Sequence, residues 1–366
     1  MGMTKSLAWL HAIVLVCISI PISSAADHEH GTNEFEVFWA AEAMRATNGN
    51  RAGDDDTWFD ADVLFGLSEG HFRTFGELYI TPDEHDLERF QIGYEFSPQT
   101  TLWFGRFHQP ASAWNSEHHH GRYLQTAITR PFIERWEDEQ GLIPQHITGA
   151  LFDTRQAVSD YAVQFSTGVG YGPGLEDHEY DPIDLIDSNP GRHRLSVSGR
   201  LAFLPTYDSG SSAGFVFAHD QIQTASVPVI DFLQSSHIDL TVYGAFIDWS
   251  FDPWRVIAVN YYVDIGFDAS ARHESFMSGY AQAERTLPHN LTAFGRIEES
   301  SRMEESRYVA WFNDHDGDVD VAFQREALGL RWDFLRRQAL TVEVSHVVSF
   351  DKHSNEIRLQ WSGVIP

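Results

Sequence analysis

Residues Arg89–Gln99 read RFQIGYEFSPQ. Phe90, Ile92, Tyr94 and Phe96 alternate with Arg89, Gln91 and Glu95, and Ser97-Pro98-Gln99 closes the run. A period of two, with one apolar and one polar face, marks a β-strand whose two sides meet different surroundings. Serine and proline at its end supply a tight turn. The same pattern extends upstream. Phe72, Leu78 and Ile80 oppose Arg73, Glu77 and Tyr79. Phe59, Ala61, Val63, Phe65 and Leu67 alternate with Asp60 and Asp62, and Phe35, Val37, Trp39 and Ala41 with Glu34, Glu36, Phe38 and Glu42. Each run spans about ten residues, the length that crosses a bilayer at a tilt.

Downstream, Leu195, Val197, Leu201 and Phe203 face away from Arg192, Arg194, Ser196, Ser198 and Arg200. Ile238, Leu240, Val242 and Phe246, then Ile257, Val259, Tyr261 and Val263, continue the apolar face. Leu328, Leu330, Trp332 and Phe334 follow, then Leu340, Val342 and Val344, then Ile357, Leu359 and Trp361. The connectors alternate in length. Short turns fall at 68–70, 97–99, 156–159, 205–211, 252–253, 288–289 and 336–338. Longer polar segments lie between them at 44–57, 81–86, 108–147, 171–191, 225–236, 268–272, 300–319 and 350–354. Seven turns and eight loops join sixteen strands, an even count with both ends on one side. The expected fold is all-β: a transmembrane antiparallel barrel of about 16 strands. Phe96, Trp103, Phe203, Phe251, Trp254, Trp332, Phe334 and Trp361 gather near the short turns, as an interfacial girdle would. Val321 and Phe323 share parity with Arg325 and Arg331, which predicts a bulge. His346 sits on an apolar face.

Composition agrees. Lys5, the apolar run Leu7–Ile20 and the small residues Ser24-Ala25-Ala26 read as a signal peptide over 1–26, leaving 27–366 as one barrel domain. Cys17, the single cysteine, falls inside that segment, so no disulfide is expected in the mature chain. No apolar run is long enough for a spanning helix, so a membrane could be crossed only by strands. The net charge of −28 makes nucleic acid an unsuitable partner. Lysine occurs only at Lys5 and Lys352; the other cations are arginines.

The runs LWFGRFHQP, HHGRYLQT, RPFIERWED and GLIPQHITG between Leu102 and Leu151 carry a resemblance. The chain resembles the sixteen-stranded porins of Gram-negative outer membranes, nearest to the phosphate-selective porin O/P group and a family of proteobacterial outer-membrane proteins. That resemblance implies a homotrimeric channel in contact with outer-membrane lipid and lipopolysaccharide, passing small hydrophilic solutes. It also implies that the third outer loop, here 108–147, folds into the lumen as a constriction. Phosphate specificity is not carried over, because the lysines it relies on are missing.

On this reading Glu117, His118, His119, His120, Arg122, Arg130, Arg135, Glu137 and Asp138 line the constriction. Arg73, Arg106, Arg194, Arg200, Arg296, Arg325, Arg331 and Arg358 line the lumen, with Asp239 among the facing carboxylates. A charged lumen sets ion selectivity. The residues leave a ligand reading open. His118 and His120 beside Glu117 suit a transition metal, although consecutive extended residues point alternately. Asp314, Asp316, Asp318 and Asp320 around Gly317 resemble part of a calcium loop, with the glycine displaced from its usual place. No resident cofactor is required. Gly66–Gly70 matches G-x-S-x-G, but it joins two strands rather than a strand and a helix, so no enzyme is expected. The competing assignment is a metal- or calcium-binding outer-membrane receptor with a shut lumen.

Overall fold

The structure is a computed structural model that describes residues 33–49, 55–82, 85–118, 122–135, 137, 141–176, 179–183, 193–224, 237–267, 273–313, 321–350 and 353–366. The first half of the wall is β1 (Asn33–Gly49), β2 (Asp55–Glu69), β3 (Phe72–Ile80), β4 (His85–Ser97), β5 (Thr100–His108), β6 (His146–Val158) and β7 (Tyr161–Tyr171). A small hairpin, β8 (Gly174–Glu176) and β9 (Glu179–Asp181), sits in the fourth outer loop. The wall resumes with β10 (Leu195–Leu204), β11 (Ser212–Gln223), β12 (His237–Phe251), β13 (Trp254–Phe267) and β14 (His273–Leu287). It ends with β15 (Leu291–Ser301), β16 (Ala322–Leu335), β17 (Gln338–Ser349) and β18 (His353–Ile365). Each wall strand pairs antiparallel with its neighbours, and β1 pairs with both β2 and β18, so the sheet of sixteen closes on itself. Closure leaves no unpaired edge in a bilayer, where water cannot satisfy one.

Seven short turns and eight longer outer loops join these strands, in the order expected. Several short turns hold a left-handed residue: Gly70 (φ 57°), Ser159 (φ 58°), His289 (φ 68°), Asn290 (φ 58°) and Arg337 (φ 65°). Such residues let the chain reverse within two or three positions. Some boundaries differ from expectation. β1 and β2 run past the expected first loop at 44–57, leaving only 50–54 between them, because Met44–Arg45 and Asp55–Asp56 pair across the strands. β6 continues to Val158, so the turn after it is 159–160.

The outer face carries the apolar belt: Phe90, Ile92, Phe104, Phe165, Leu201, Phe215, Leu328, Leu330, Val342, Val344, Ile357 and Leu359 are all exposed. Phe96, Phe203, Phe251, Trp254, Trp332 and Trp361 are exposed near the short turns, as a girdle requires. Trp103 is a correction, since it pairs with Gly93 on the lumen side and lies across that glycine. The bulge foreseen at Val321–Phe323 is present as a register shift between Ala322 and Gln324. His346 is exposed on the outer face near the rim, 2.6 Å from the side-chain oxygen of Asn355.

One sector reverses the expected orientation. On β12 and β13, Ile238, Leu240, Val242, Phe246, Ile257, Val259, Tyr261 and Val263 point inward and are buried. Their outward neighbours are Tyr243, Ala245, Ala258, Asn260 and Tyr262. Asp239, of opposite parity to Leu240, therefore falls on the outer face and not in the lumen. Both faces of this sector are apolar enough to satisfy a period-two reading, so parity alone could not orient it. The inner face packs against loops that enter the barrel. One cluster joins Val216, Ile238, Leu240, Val242 and Tyr261 of the wall to Trp114, Phe132, Ile133, Leu142 and Ile143 of the third loop. The same cluster takes in Tyr308, Val309, Trp311 and Phe312 from a short helix in the seventh loop.

Candidate functional site

The third outer loop, residues 109–145, leaves the wall at a defined bend. Gly105 holds φ 137°, and a Cβ there would lie 2.0 Å from the carbonyl oxygen of Phe90. Only glycine accommodates that backbone and that approach. The bend turns Arg106, Phe107 and His108 all into the barrel, each almost fully buried. Beyond it Ser112 caps helix α1 (Ala113–His118) by accepting the N–H of Asn115 at 3.2 Å.

The loop crosses the lumen and is bonded to the wall on every side. On the near side, Gln109 donates to both carboxylate oxygens of Asp220 on β11, at 2.9 and 3.0 Å. The Tyr261 hydroxyl on β13 donates to Glu134 at 2.5 Å, and Ser112 Oγ donates to the same carboxylate at 2.5 Å. Burial pushes the Glu134 carboxyl above its ordinary range, against the hydrogen bonds from Ser112 and Tyr261 that favour its ionised form. On the far side, Glu343 on β17 accepts the N–H groups of Ile128 (2.8 Å) and Thr129 (3.2 Å) and the Thr129 hydroxyl (2.5 Å). Glu298 on β15 accepts the N–H of Phe132 at 2.6 Å. The return limb ends in a bridge: His146 Nδ1 lies 2.6 Å from Glu137 and its Nε2 lies 3.1 Å from Glu88 on β4. The seventh loop adds a pin, with the Tyr308 hydroxyl donating to the carbonyl of Leu142 at 3.1 Å and meeting the Tyr180 hydroxyl. Burial raises both phenols.

Six of the eight arginines expected in the lumen hold either the loop or a carboxylate. Arg296 donates to the carbonyl (2.6 Å) and hydroxyl (2.5 Å) of Thr129 and to Glu298 (2.9 Å). Arg325 reaches the carbonyl of Arg130 at 3.1 Å, and Arg331 those of Tyr123 (2.7 Å) and Gln125 (2.5 Å). Arg358 bridges Glu42 (2.6 Å) and Glu356 (2.9 Å). Arg106 faces Asp86 (3.3 Å) and Glu88 (3.5 Å), and Arg73 faces Glu95 (2.5 Å). The other two make different contacts: Arg194 donates to Gln223 at 2.6 Å, and Arg200 lies over the Phe246 ring at 4.5 Å.

Of the expected constriction residues, Arg122 pairs with Asp60 and with Glu42 (3.3 Å) and covers the Trp58 ring at 4.2 Å. Arg135 lies over Phe132 at 4.9 Å. Arg130 is bonded through its carbonyl, and Glu137 is the carboxylate of the His146 bridge. His118 is buried, its ring 4.5 Å from that of Trp114 in an edge-on contact. The side chain of Glu117, all of His119, His120 and Asp138, the acidic run Asp314–Asp320 and the segment 1–26 expected as a signal peptide lie outside the described residues. No group of three or more His, Cys, Asp or Glu around a single ion position occurs among the described residues. Sequence reading missed Tyr261, His146, Glu88 and Thr129, and noted Glu134 only as one of the loop's many charged groups. The partners of Tyr261 and Thr129 lie 127 and 214 positions away in the chain, beyond the reach of local spacing.

A closed wall of sixteen strands, an apolar outer belt and an inward loop define the class: a transmembrane β-barrel of the outer-membrane kind. The solved structures it resembles come from that class. It superposes on OmpF of Salmonella typhi, solved in complex with daunomycin, with TM-score 0.59 at 10% identity, covering 93% of this chain and 99% of that one. OmpT, an outer membrane protein of Vibrio cholerae, gives 0.56 at 9% identity over 94% and 100%. OprB of Pseudomonas putida gives 0.55 at 7% identity over 91% and 94%. At such identities the likeness is one of fold. No family model and no curated protein matches the chain.

Proposed function

We propose that the chain is a porin-like outer-membrane channel through which small hydrophilic or ionic solutes diffuse passively. One observation carries the reading: a closed barrel has an apolar exterior and an interior lined by Glu42, Asp60, Arg296, Arg325, Glu343 and Arg358, crossed by a loop held through polar bonds. Charge inside such a barrel is tolerated because it faces water or a counter-charge and not lipid. The loop narrows the path, and bonds from wall arginines to its carbonyls and from its N–H groups to wall carboxylates set its position. Residues 1–26 act as the export signal, and the outer belt meets lipid and lipopolysaccharide. The barrel assembles as a homotrimer, an assembly supported by the trimer form recorded for the similar OmpT. With no lysine in the described wall, the phosphate-selective assignment gains no support. Planar-bilayer recording on the purified, folded barrel tests the proposal: discrete ionic currents are expected, and a folded protein with no current above leak would sink it.

A second reading has its own observation. Gln109, Asn115, Gln145, Leu142 and Asp220, all at the level of the loop, are fully buried. This is the packing of a shut lumen, as in a receptor that binds a transition metal at His118 and His120 or calcium at Asp314–Asp318. The same recording discriminates between the two. Zinc or nickel uptake that survives replacement of His118, His119 and His120 by alanine would remove the triplet from that reading.

A further inference from the structure

Carboxylates project into the lumen from four consecutive strands: Glu42 on β1, Asp60 and Asp62 on β2, Glu77 on β3 and Glu88 on β4, all buried. Four of the five have a guanidinium partner. Arg358 sits 2.6 Å from Glu42, Arg89 2.5 Å from Glu77 and Arg106 3.5 Å from Glu88, while Arg122 pairs with Asp60. Asp62 has no ion pair among the described residues. It is 1% exposed, and its Oδ1 has no hydrogen-bond donor. The Oδ1 of Asp60, two positions away on the same inward face, is likewise without a donor. Among the described residues, the charged groups acting most strongly on Asp62 are Asp60, Glu77, Arg122 and Glu88, three of them acidic.

An ionised carboxylate cannot stay buried without a donor or counter-charge, because its lost hydration is worth several kcal/mol. Either a proton or a cation must therefore complete this wall. We propose that Asp62, with Asp60, forms a cation site in the lumen and makes the barrel selective for cations. The donors are carboxylate oxygens alone, which favour hard cations such as K+, Mg2+ and Ca2+ over softer transition metals. Two carboxylates with water completing the shell hold such an ion weakly, as a conducting site must. The polarity of the cross-section agrees. The loop brings Arg122 to this wall, and that guanidinium already has Asp60 and Glu42 as partners.

This inference deepens the channel reading and rests on it for the selectivity, but not for the binding. Two measurements on the full-length, folded barrel separate the two. In bilayers with a KCl gradient at pH 8, the reversal potential is expected to report K+ preference, and Asp62→Asn is expected to lower the K+/Cl− permeability ratio severalfold. In detergent solution, calorimetric titration with CaCl2 is expected to show one site fewer per chain in Asp62→Asn than in the unaltered protein. A conducting barrel that prefers Cl−, or whose reversal potential Asp62→Asn leaves unchanged, overturns the inference while the channel stands. A barrel that conducts nothing removes the channel, and the calcium titration then decides the site alone. Equal calcium stoichiometry in the two proteins overturns it. If the variant does not fold, the sign of the unaltered protein's reversal potential still decides, and Cl− preference again refutes the inference.

Discussion

Replacing Glu343 by alanine should release the far edge of the third loop without unfolding the barrel. The carboxylate is 1% exposed and accepts three hydrogen bonds, from the N–H groups of Ile128 and Thr129 and from the Thr129 hydroxyl. A hydrogen bond to a charged group contributes roughly 1.5–3 kcal/mol, and the three are not additive because they share one acceptor. Arg296 continues to hold the Thr129 carbonyl at 2.6 Å, and water can enter the vacated space. A net weakening of loop docking by about 3 kcal/mol follows, roughly a hundredfold rise in the undocked fraction at about 1.4 kcal/mol per factor of ten. The ladders from β16 to β17 and from β17 to β18 do not depend on this side chain, so thermal unfolding should move little. Single-channel conductance and protease cleavage between residues 122 and 135 read the effect: both should rise. Unchanged conductance and unchanged cleavage in a folded Glu343→Ala barrel would refute the view that wall-to-loop bonds set the constriction.

Four further outcomes are expected. Gly105→Ala should sharply lower the fraction of barrel that migrates as folded on unheated gels, since its Cβ would meet the Phe90 carbonyl at 2.0 Å. Gly70→Ala, with φ 57° and open space around it, should cost only about 1 kcal/mol. Loop docking should be tighter in mild acid than at neutral pH. The Glu134 carboxyl binds its proton more strongly when docked than when released, so docking free energy falls as pH rises through the ordinary carboxylate value and levels off above the raised one. Hydrogen exchange of residues 112–116 at pH 5 and pH 8 measures this, and a Glu134→Gln barrel should lose the dependence. Tyr308→Phe removes one of the two hydroxyls that donate to the Leu142 carbonyl, leaving that of Tyr180, and should weaken the anchor by at most about 1 kcal/mol, read as faster exchange at residues 141–145.

Much of the wall was legible from the chain alone. Runs such as Phe90–Phe96 against Arg89–Glu95 alternate because each strand separates two media, and that signal is local to ten residues. The turn at 98–99 and the long third loop likewise announce themselves through composition and length. What local pattern could not settle was which face of β12 and β13 points inward. Ile238 to Val242 and Tyr243 to Ile247 are both apolar enough for lipid, and the choice fell to Trp114, Ile133 and Phe312, which arrive from distant loops. The site shows the same division. Sequence marked the loop by its density of His, Arg and Glu, and pointed to the triplet at 118–120. Tertiary structure showed that Arg122 and Glu134 of that loop are bonded to distant wall strands, and that Asp62, an unremarkable member of a strand, is a buried carboxylate with no ion pair among the described residues. Alternation is written in neighbouring residues, whereas charge balance inside a closed barrel is a sum over strands that meet only when the sheet closes.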